Sequence, residues 1–265
     1  MALSIRRLLL FLSYAFVGSG ASKGEEWKLL EDSRSEETPV QIRKDAVSPD
    51  GKKVSLNLVE FSSKDFTLKV VDQGDDQSNR PFSNLRDAME KTGCVAGLNG
   101  GFYGADFKAL GVVYQDGKKI APYVNSNRNG LASGVIWSGV GGIHIVRRLD
   151  FKGGSGVEQA IQTGPMLISN SVAVKGLSDS KSRPRSFVLT DWKGTWMLGT
   201  SSFVSLAELA SVLDSAAVFK DLKVNRAINL DGGRSTGFYL KQSDGKVTYR
   251  AEMSPVRNFL GITRK

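Results

Sequence analysis

Asn229 and Asp231, in the segment AINLDGGRSTGFYL from Ala227 to Leu240, stand inside what otherwise reads as an apolar β-strand. Strand side chains alternate, so Ala227, Asn229 and Asp231 share one face and Ile228 and Leu230 the other, which aims the two polar groups together. Gly232, Gly233, Arg234, Ser235 and Thr236 follow, supplying backbone that a ligand can approach, a permanent cation and two hydroxyls. A carboxylate in that company suits acid–base work on a polar substrate. Asp-Gly between strands is equally the signature of an ordinary hairpin turn, and the segment alone leaves both readings open.

The same order of residues occurs in AGLNGGFYG, where a strand of small residues ends in Asn99 and runs into Gly100 and Gly101. Two such sites, each preceded by a helix, read as two edges of one cleft whose glycines admit a ligand. In KSRPRSFVLT, Arg183 and Arg185 alternate onto one face around Pro184. They are either an exposed strand edge or, where that strand enters the cleft, a guanidinium pair able to fork two phosphate oxygens as a lysine cannot.

Other chemistries find little support. There is one histidine and one cysteine, so a His/Cys zinc cluster and a Ser-His-Asp triad are disfavoured. His144 alternates with Ile143 and Ile145 and reads as a strand residue facing away from them. Cys94 cannot pair within the chain and reads as a small buried apolar group. The glycine clusters lie between strands and open no helix, so neither a P-loop nor a dinucleotide fingerprint is present. No metal or organic cofactor is expected.

The elements that must position these residues are mainly strands. Residues 53–62 and 66–73 are β-type runs, and residues 84–93 give a helix with Leu85, Ala88 and Met89 on one side and Gly93 as its stop. A hairpin is expected about Asp116-Gly117, two more strands within residues 130–149, a Gly-Pro bend at Gly164-Pro165, and a hairpin across Trp192-Lys193-Gly194. The clearest helix starts after Ser205, with Glu208 completing a capping box and Leu206, Leu209, Ala210 and Leu213 on one side. The expected fold is a single α+β domain, a mixed or antiparallel β-sheet core with a few helices.

The chain has 265 residues and a formal net charge of +9. Its basic residues are scattered and not interleaved with aromatics, which argues against a nucleic-acid partner and for affinity to an anionic substrate or surface. Residues 1–21 carry Arg6 and Arg7, an apolar run from Leu8 to Val17 and a small-residue stretch ending at Ala21, the layout of a signal peptide. The run is shorter than the roughly 20 residues that span a bilayer, so a secreted or periplasmic protein with no stable membrane span is expected. Residues 22–45 are mostly charged and read as a linker or short solvated helix, with the domain occupying residues 46–265.

Taken in order, LNGGFYG, ALGVVYQDGKKI, IQTGPMLIS, RPRSFVLTDWKGTWMLGTS, SLAELASVL, AINLDGGRST and PVRNFLGI resemble the phosphodiester glycosidase family from about Cys94 to Ile262. The resemblance implies hydrolysis of a sugar 1-phosphodiester between the anomeric carbon and the phosphate oxygen. It places Asn99, Arg185, Asn229, Asp231, Ser235 and Thr236 as polar cleft residues, and of these Asp231, Arg185 and Asn99 are the expected catalytic residues. Gly100, Gly101, Thr163, Arg183, Asn229, Gly232, Gly233, Arg234, Ser235 and Thr236 become the substrate-binding set. Members usually carry a third glycine where this chain has Arg234. Ordinary glycosidases need two carboxyl groups, one of them to protonate a poor leaving group. A phosphate monoester leaves readily, so the remaining needs are a cation on the departing phosphate, one carboxylate, and amide donors expected from the two Gly-Gly turns. Asp106, Glu158, Asp191 and Glu252 are all possible second carboxylates. The implied partner is a glycosyl-phosphate small molecule or an envelope glycopolymer; the competing reading is a non-catalytic glycan- or polyanion-binding domain with the same cleft.

Overall fold

In this computed structural model the described residues are 26–125 and 130–265. The expected signal peptide lies outside them. From the N-terminal side the chain forms β1 (Lys28–Arg34), β2 (Val40–Val47), β3 (Lys53–Ser62), β4 (Phe66–Asp72), α1 (Leu85–Lys91) and β5 (Ala96–Asn99). The middle gives β6 (Val113–Gln115), β7 (Lys118–Ala121), β8 (Gly134–Gly139), β9 (Gly142–Arg147), β10 (Val157–Thr163), β11 (Met166–Ser169) and β12 (Val172–Ala173). The remainder gives β13 (Arg183–Thr190), β14 (Thr195–Val204), α2 (Leu206–Asp214), β15 (Arg226–Asn229), β16 (Phe238–Lys241), β17 (Val247–Arg250) and β18 (Asn258–Arg264).

These strands make three sheets, ordered β1-β2-β3-β14-β13-β15-β11-β12, β7-β6-β10-β8-β9 and β17-β16-β5-β18-β4. Every pairing is antiparallel, as shown for the neighbours of β15, β10 and β5 that frame the site. The fold is therefore α+β, dominated by antiparallel sheet. The central core is shared by all three sheets: Leu198 and Ile228 come from the first, Ile136 and Ile161 from the second, Leu98 and Leu260 from the third. The outer face of the eight-stranded sheet packs on α2 through Phe187, Ala227, Leu209 and Leu213. The outer face of the third sheet packs on α1 through Tyr239, Phe259, Leu85 and Met89.

Local chemistry explains the helix ends and hairpins. Asn84 caps α1 by accepting from the Asp87 amide, and Ser205 and Glu208 form the expected reciprocal capping box on α2. The turn between β6 and β7 places Asp116 and Gly117 at φ of 51° and 76°, the left-handed pair that Asp-Gly tolerates. Cys94 is buried against α1, as an apolar residue would be. Among the described residues no helix is long and apolar enough to cross a membrane.

The segment read as a linker or solvated helix is neither. Residues 28–47 contain β1 and β2, which pair with each other and join the eight-stranded sheet through β3. Ile42 and Ala46 are fully buried, Lys44 is buried in an ion pair with Asp32 at 2.6 Å, and Trp27 donates from Nε1 to Ser211 Oγ of α2 at 3.0 Å. The high charge arises because β1 is an outermost strand with nearly every side chain exposed. The folded unit consequently begins well before residue 46.

Candidate active site

The chain reaches Asp231 at a crossing between sheets. β15 belongs to the eight-stranded sheet, and the next strand, β16, belongs to the third. A hairpin would have paired them, so the plain-turn reading of Asp231-Gly232 fails. The alternation holds: Ile228 and Leu230 enter the central core, Ala227 packs toward α2, and Asn229 and Asp231 open on the α2 side into a cleft of about 410 Å³.

Arg183 and Arg185 line the same cleft from the start of β13, although a register irregularity separates them. Arg185 donates from Nε to the Val204 carbonyl at 3.1 Å and from Nη2 to the Lys181 carbonyl at 2.6 Å. The side chain is thereby held while Nη1 has no partner among the described residues. Burial, and then the Arg183 charge, lower its pKa, yet a guanidinium remains charged in any working buffer. Lys181, Ser178 and Ser180 add a polar rim, and Phe102, Leu131, Pro165 and Leu206 an apolar wall.

Asp231 is the one carboxylate lining the cleft among the described residues. Burial raises its pKa, opposed by the Ser235 hydroxyl, the Gly232 amide and the Arg183 charge. Gly232 N–H donates to Asp231 Oδ1 at 2.8 Å. The backbone of Asp231 is pinned on both sides, its N–H donating to Gly100 O at 3.0 Å and its carbonyl accepting from Asn99 Nδ2 at 2.7 Å. Asn229 donates from Nδ2 to Gly164 O at 2.9 Å, leaving its buried Oδ1 without a partner among the described residues. That orphan acceptor sits in the cleft wall.

Several expected site residues do not line the cleft. Asn99 is fully buried and absent from the cleft wall: its Oδ1 accepts from Ser186 Oγ at 2.6 Å and from the Gly237 amide at 3.2 Å. Gly100 and Gly101 do not admit a ligand. The Gly100 amide donates to Asn258 O at 2.8 Å and the Gly101 amide to Asn258 Oδ1 at 2.8 Å, and a Cβ on Gly100 would lie 2.0 Å from Asn258 Oδ1. With the Gly232 amide also engaged, three of the four expected amide donors, those of Gly100, Gly101 and Gly232, are taken by the protein itself. Asn258 follows Arg257, which is buried and forks onto Asp72 at 3.0 and 2.9 Å.

Thr163 is buried and donates to Asn229 O at 3.0 Å, and Thr236 donates to Pro184 O at 3.3 Å, so both position cleft residues without lining the cleft. Gly233 begins a 3-10 turn ending at Ser235, with φ of +66° that a side chain would strain, and Ser235 is buried beneath it. Arg234 points away: its Nη2 donates to Met253 O at 3.1 Å. None of the four possible second carboxylates lines the cleft. Asp106 and Glu158 are exposed, Asp191 accepts from the Lys193 and Thr195 amides in its own hairpin, and Glu252 accepts from the Leu85 amide at the start of α1. His144 stacks on Trp137 at 4.3 Å in the second sheet. No group of three His, Cys, Asp or Glu among the described residues is placed to hold a metal.

One carboxylate and three cationic side chains thus line a single cleft at the sheet crossover. The model of the phosphodiester glycosidase family matches residues 92–263, more than half of the chain, and the chain belongs to that family. Family membership points to phosphodiester glycosidase activity. A hypothetical protein from Synechocystis has a similar structure, with a TM-score of 0.59 at 15% identity over 91% of this chain and 68% of that one. The catalytic domain of zebrafish N-acetylglucosamine-1-phosphodiester alpha-N-acetylglucosaminidase, auto-inhibited by pro-peptide, aligns with a TM-score of 0.57 at 16% identity over 93% of this chain and 85% of that one. These likenesses establish the shared fold. No match by sequence is found among curated proteins.

Proposed function

We propose that the protein is an exported hydrolase that cleaves the sugar C1–O–phosphate bond of a glycosyl 1-phosphodiester in the cleft between β13 and the Asn229–Gly232 crossing. The observation that carries the reading is that Asp231, half-buried and the one carboxylate lining the cleft among the described residues, shares it with the cations of Arg183, Arg185 and Lys181. Arg185 and its neighbours hold the phosphate and stabilise the charge that grows on it as the bond breaks. Asp231 takes a proton from water, the water oxygen bonds to C1, and the C1–O bond breaks to release a phosphate monoester. Its raised pKa makes it a stronger base than an exposed aspartate, and the good leaving group removes the need for a second carboxyl group. Asn229 forms the cleft wall beside Asp231. The Arg6-Arg7 and apolar sequence of residues 1–21 supports export.

Incubation with a panel of sugar 1-phosphodiesters, read by release of free sugar, tests this. Wild-type protein is expected to turn over at least one member and Asp231→Asn to lose ~10²–10⁴-fold of that rate. Tight binding across the panel without release of sugar from wild-type protein would make the cleft a binding module instead.

A further inference from the structure

The cleft does not end at its own wall. Pro165, Ser178 and Leu206 also border a second cavity of about 540 Å³, so the two adjoin along a groove beneath the loop that follows β12. Arg147, at the end of β9, projects into this second cavity, exposed and held only by a long bond from Nη2 to Ser169 Oγ at 3.3 Å. Among the described residues lining the second cavity there is no carboxylate. Among the described residues lining the two cavities, Lys181, Arg183, Arg185 and Arg147 are therefore accompanied by one carboxylate, Asp231. Arg226, its guanidinium packed over the Trp192 ring at 5.4 Å, lies outside the groove lining and within reach of both the Arg147 charge and the Asp150 carboxylate. Beyond Val174, Gly176 and Leu177 a third cavity brings in Glu26 and Asp214, so the basic stretch stops there.

A single glycosyl phosphate needs one cationic subsite. Here two are set along one groove, with an apolar step at Pro165 and Leu206 between them. We propose that the groove binds a chain of repeating glycosyl phosphates, with the scissile phosphate at Arg183 and Arg185 and the next phosphate of the same chain at Arg147. The inference rests on the hydrolase reading for the choice of scissile bond. The substrate class is then a polyanionic glycopolymer, and Arg147 is the residue that distinguishes it from a small phosphodiester. The apolar step accommodates a sugar face between the two phosphates, while the acidic cavity beyond limits how much of the chain is held.

The test measures binding and turnover separately. Asp231→Asn protein, which holds substrate without consuming it, is titrated by calorimetry with N-acetylglucosaminyl 1-phosphate as its methyl phosphodiester and as the three-unit oligomer. The oligomer is expected to bind about tenfold more tightly or better, the worth of one added charge-assisted contact. Introducing Arg147→Gln should erase most of that gain, and Arg147→Glu should reverse it, with both variants melting like the parent because Arg147 is exposed. Equal affinity for the two ligands, or a length-dependent gain that survives Arg147→Gln, overturns the proposal. Turnover by wild-type protein is read in parallel: length-dependent binding without release of sugar would sink the hydrolase reading and keep the groove, whereas hydrolysis of both ligands without the gain would do the opposite.

Discussion

Replacing Asn99 with alanine separates chemistry from architecture at the end of β5. Its amide joins three segments: Nδ2 donates to the Asp231 carbonyl, and Oδ1 accepts from the Ser186 hydroxyl and the Gly237 N–H. A hydroxyl can turn to another acceptor, so the groups left stranded in a fully buried place are the Asp231 carbonyl and the Gly237 amide. At about 1–3 kcal/mol for each buried polar group left unpaired, the loss is about 2–6 kcal/mol. In a chain of this size each kcal/mol moves the melting temperature by about 2–4 °C, so a fall of about 4–24 °C is expected. Scanning calorimetry of the two proteins reads it, and kcat/KM measured well below both midpoints reports how far Asp231 has drifted. Turnover lost with a midpoint within about 2 °C of wild type would refute the framework role and return Asn99 to the chemistry.

Arg185→Lys is expected to lower kcat/KM about tenfold or more, since an ammonium cannot grip the Val204 and Lys181 carbonyls while presenting a further donor to phosphate; Arg183→Lys, at an exposed position, should cost clearly less, and equal small effects would make both arginines a solvated edge. The raised pKa of Asp231 places the acid limb of the kcat/KM profile above the ordinary aspartate value of 3.8. The same shift means that folding disfavours the ionised form, so this group's contribution is fully present in acid and lost as pH rises through the folded-state pKa. Asp231→Asn should accordingly raise the melting temperature at neutral pH and leave it nearly unchanged in acid, and a fall at neutral pH would argue that the carboxylate is paired.

Features set by neighbours a few residues apart were legible before any coordinates. The capping box of α2, the Asp116-Gly117 turn and the shared face of Asn229 and Asp231 all follow from periodicity or local hydrogen bonding. The arginine pair was legible for the same reason, and carrying its alternation back two residues reaches Lys181, which also lines the cleft. What failed depends on partners far along the chain. Gly100 and Gly101 look alike whether a ligand or Asn258 approaches them, and Asn258 lies more than 150 residues away. Asn99 reads as a polar group ready for work because nothing nearby in sequence reveals Ser186, Gly237 and Asp231 as its partners. The four unplaced carboxylates differ only in tertiary setting, which sequence leaves open.

The charged N-terminal segment carries a further consequence. β1 lies at the margin of the eight-stranded sheet, where one whole row of backbone donors and acceptors faces outward, an invitation to pair with the strand of another molecule. Lys28, Glu31, Asp32 and Arg34 occupy that border. A second chain docking there would have to strip water from charges of both signs. The composition that disguises this strand as a tether is thus what lets the widest sheet of the protein stop at eight strands, keeping a fold dominated by antiparallel sheet from growing into its neighbours.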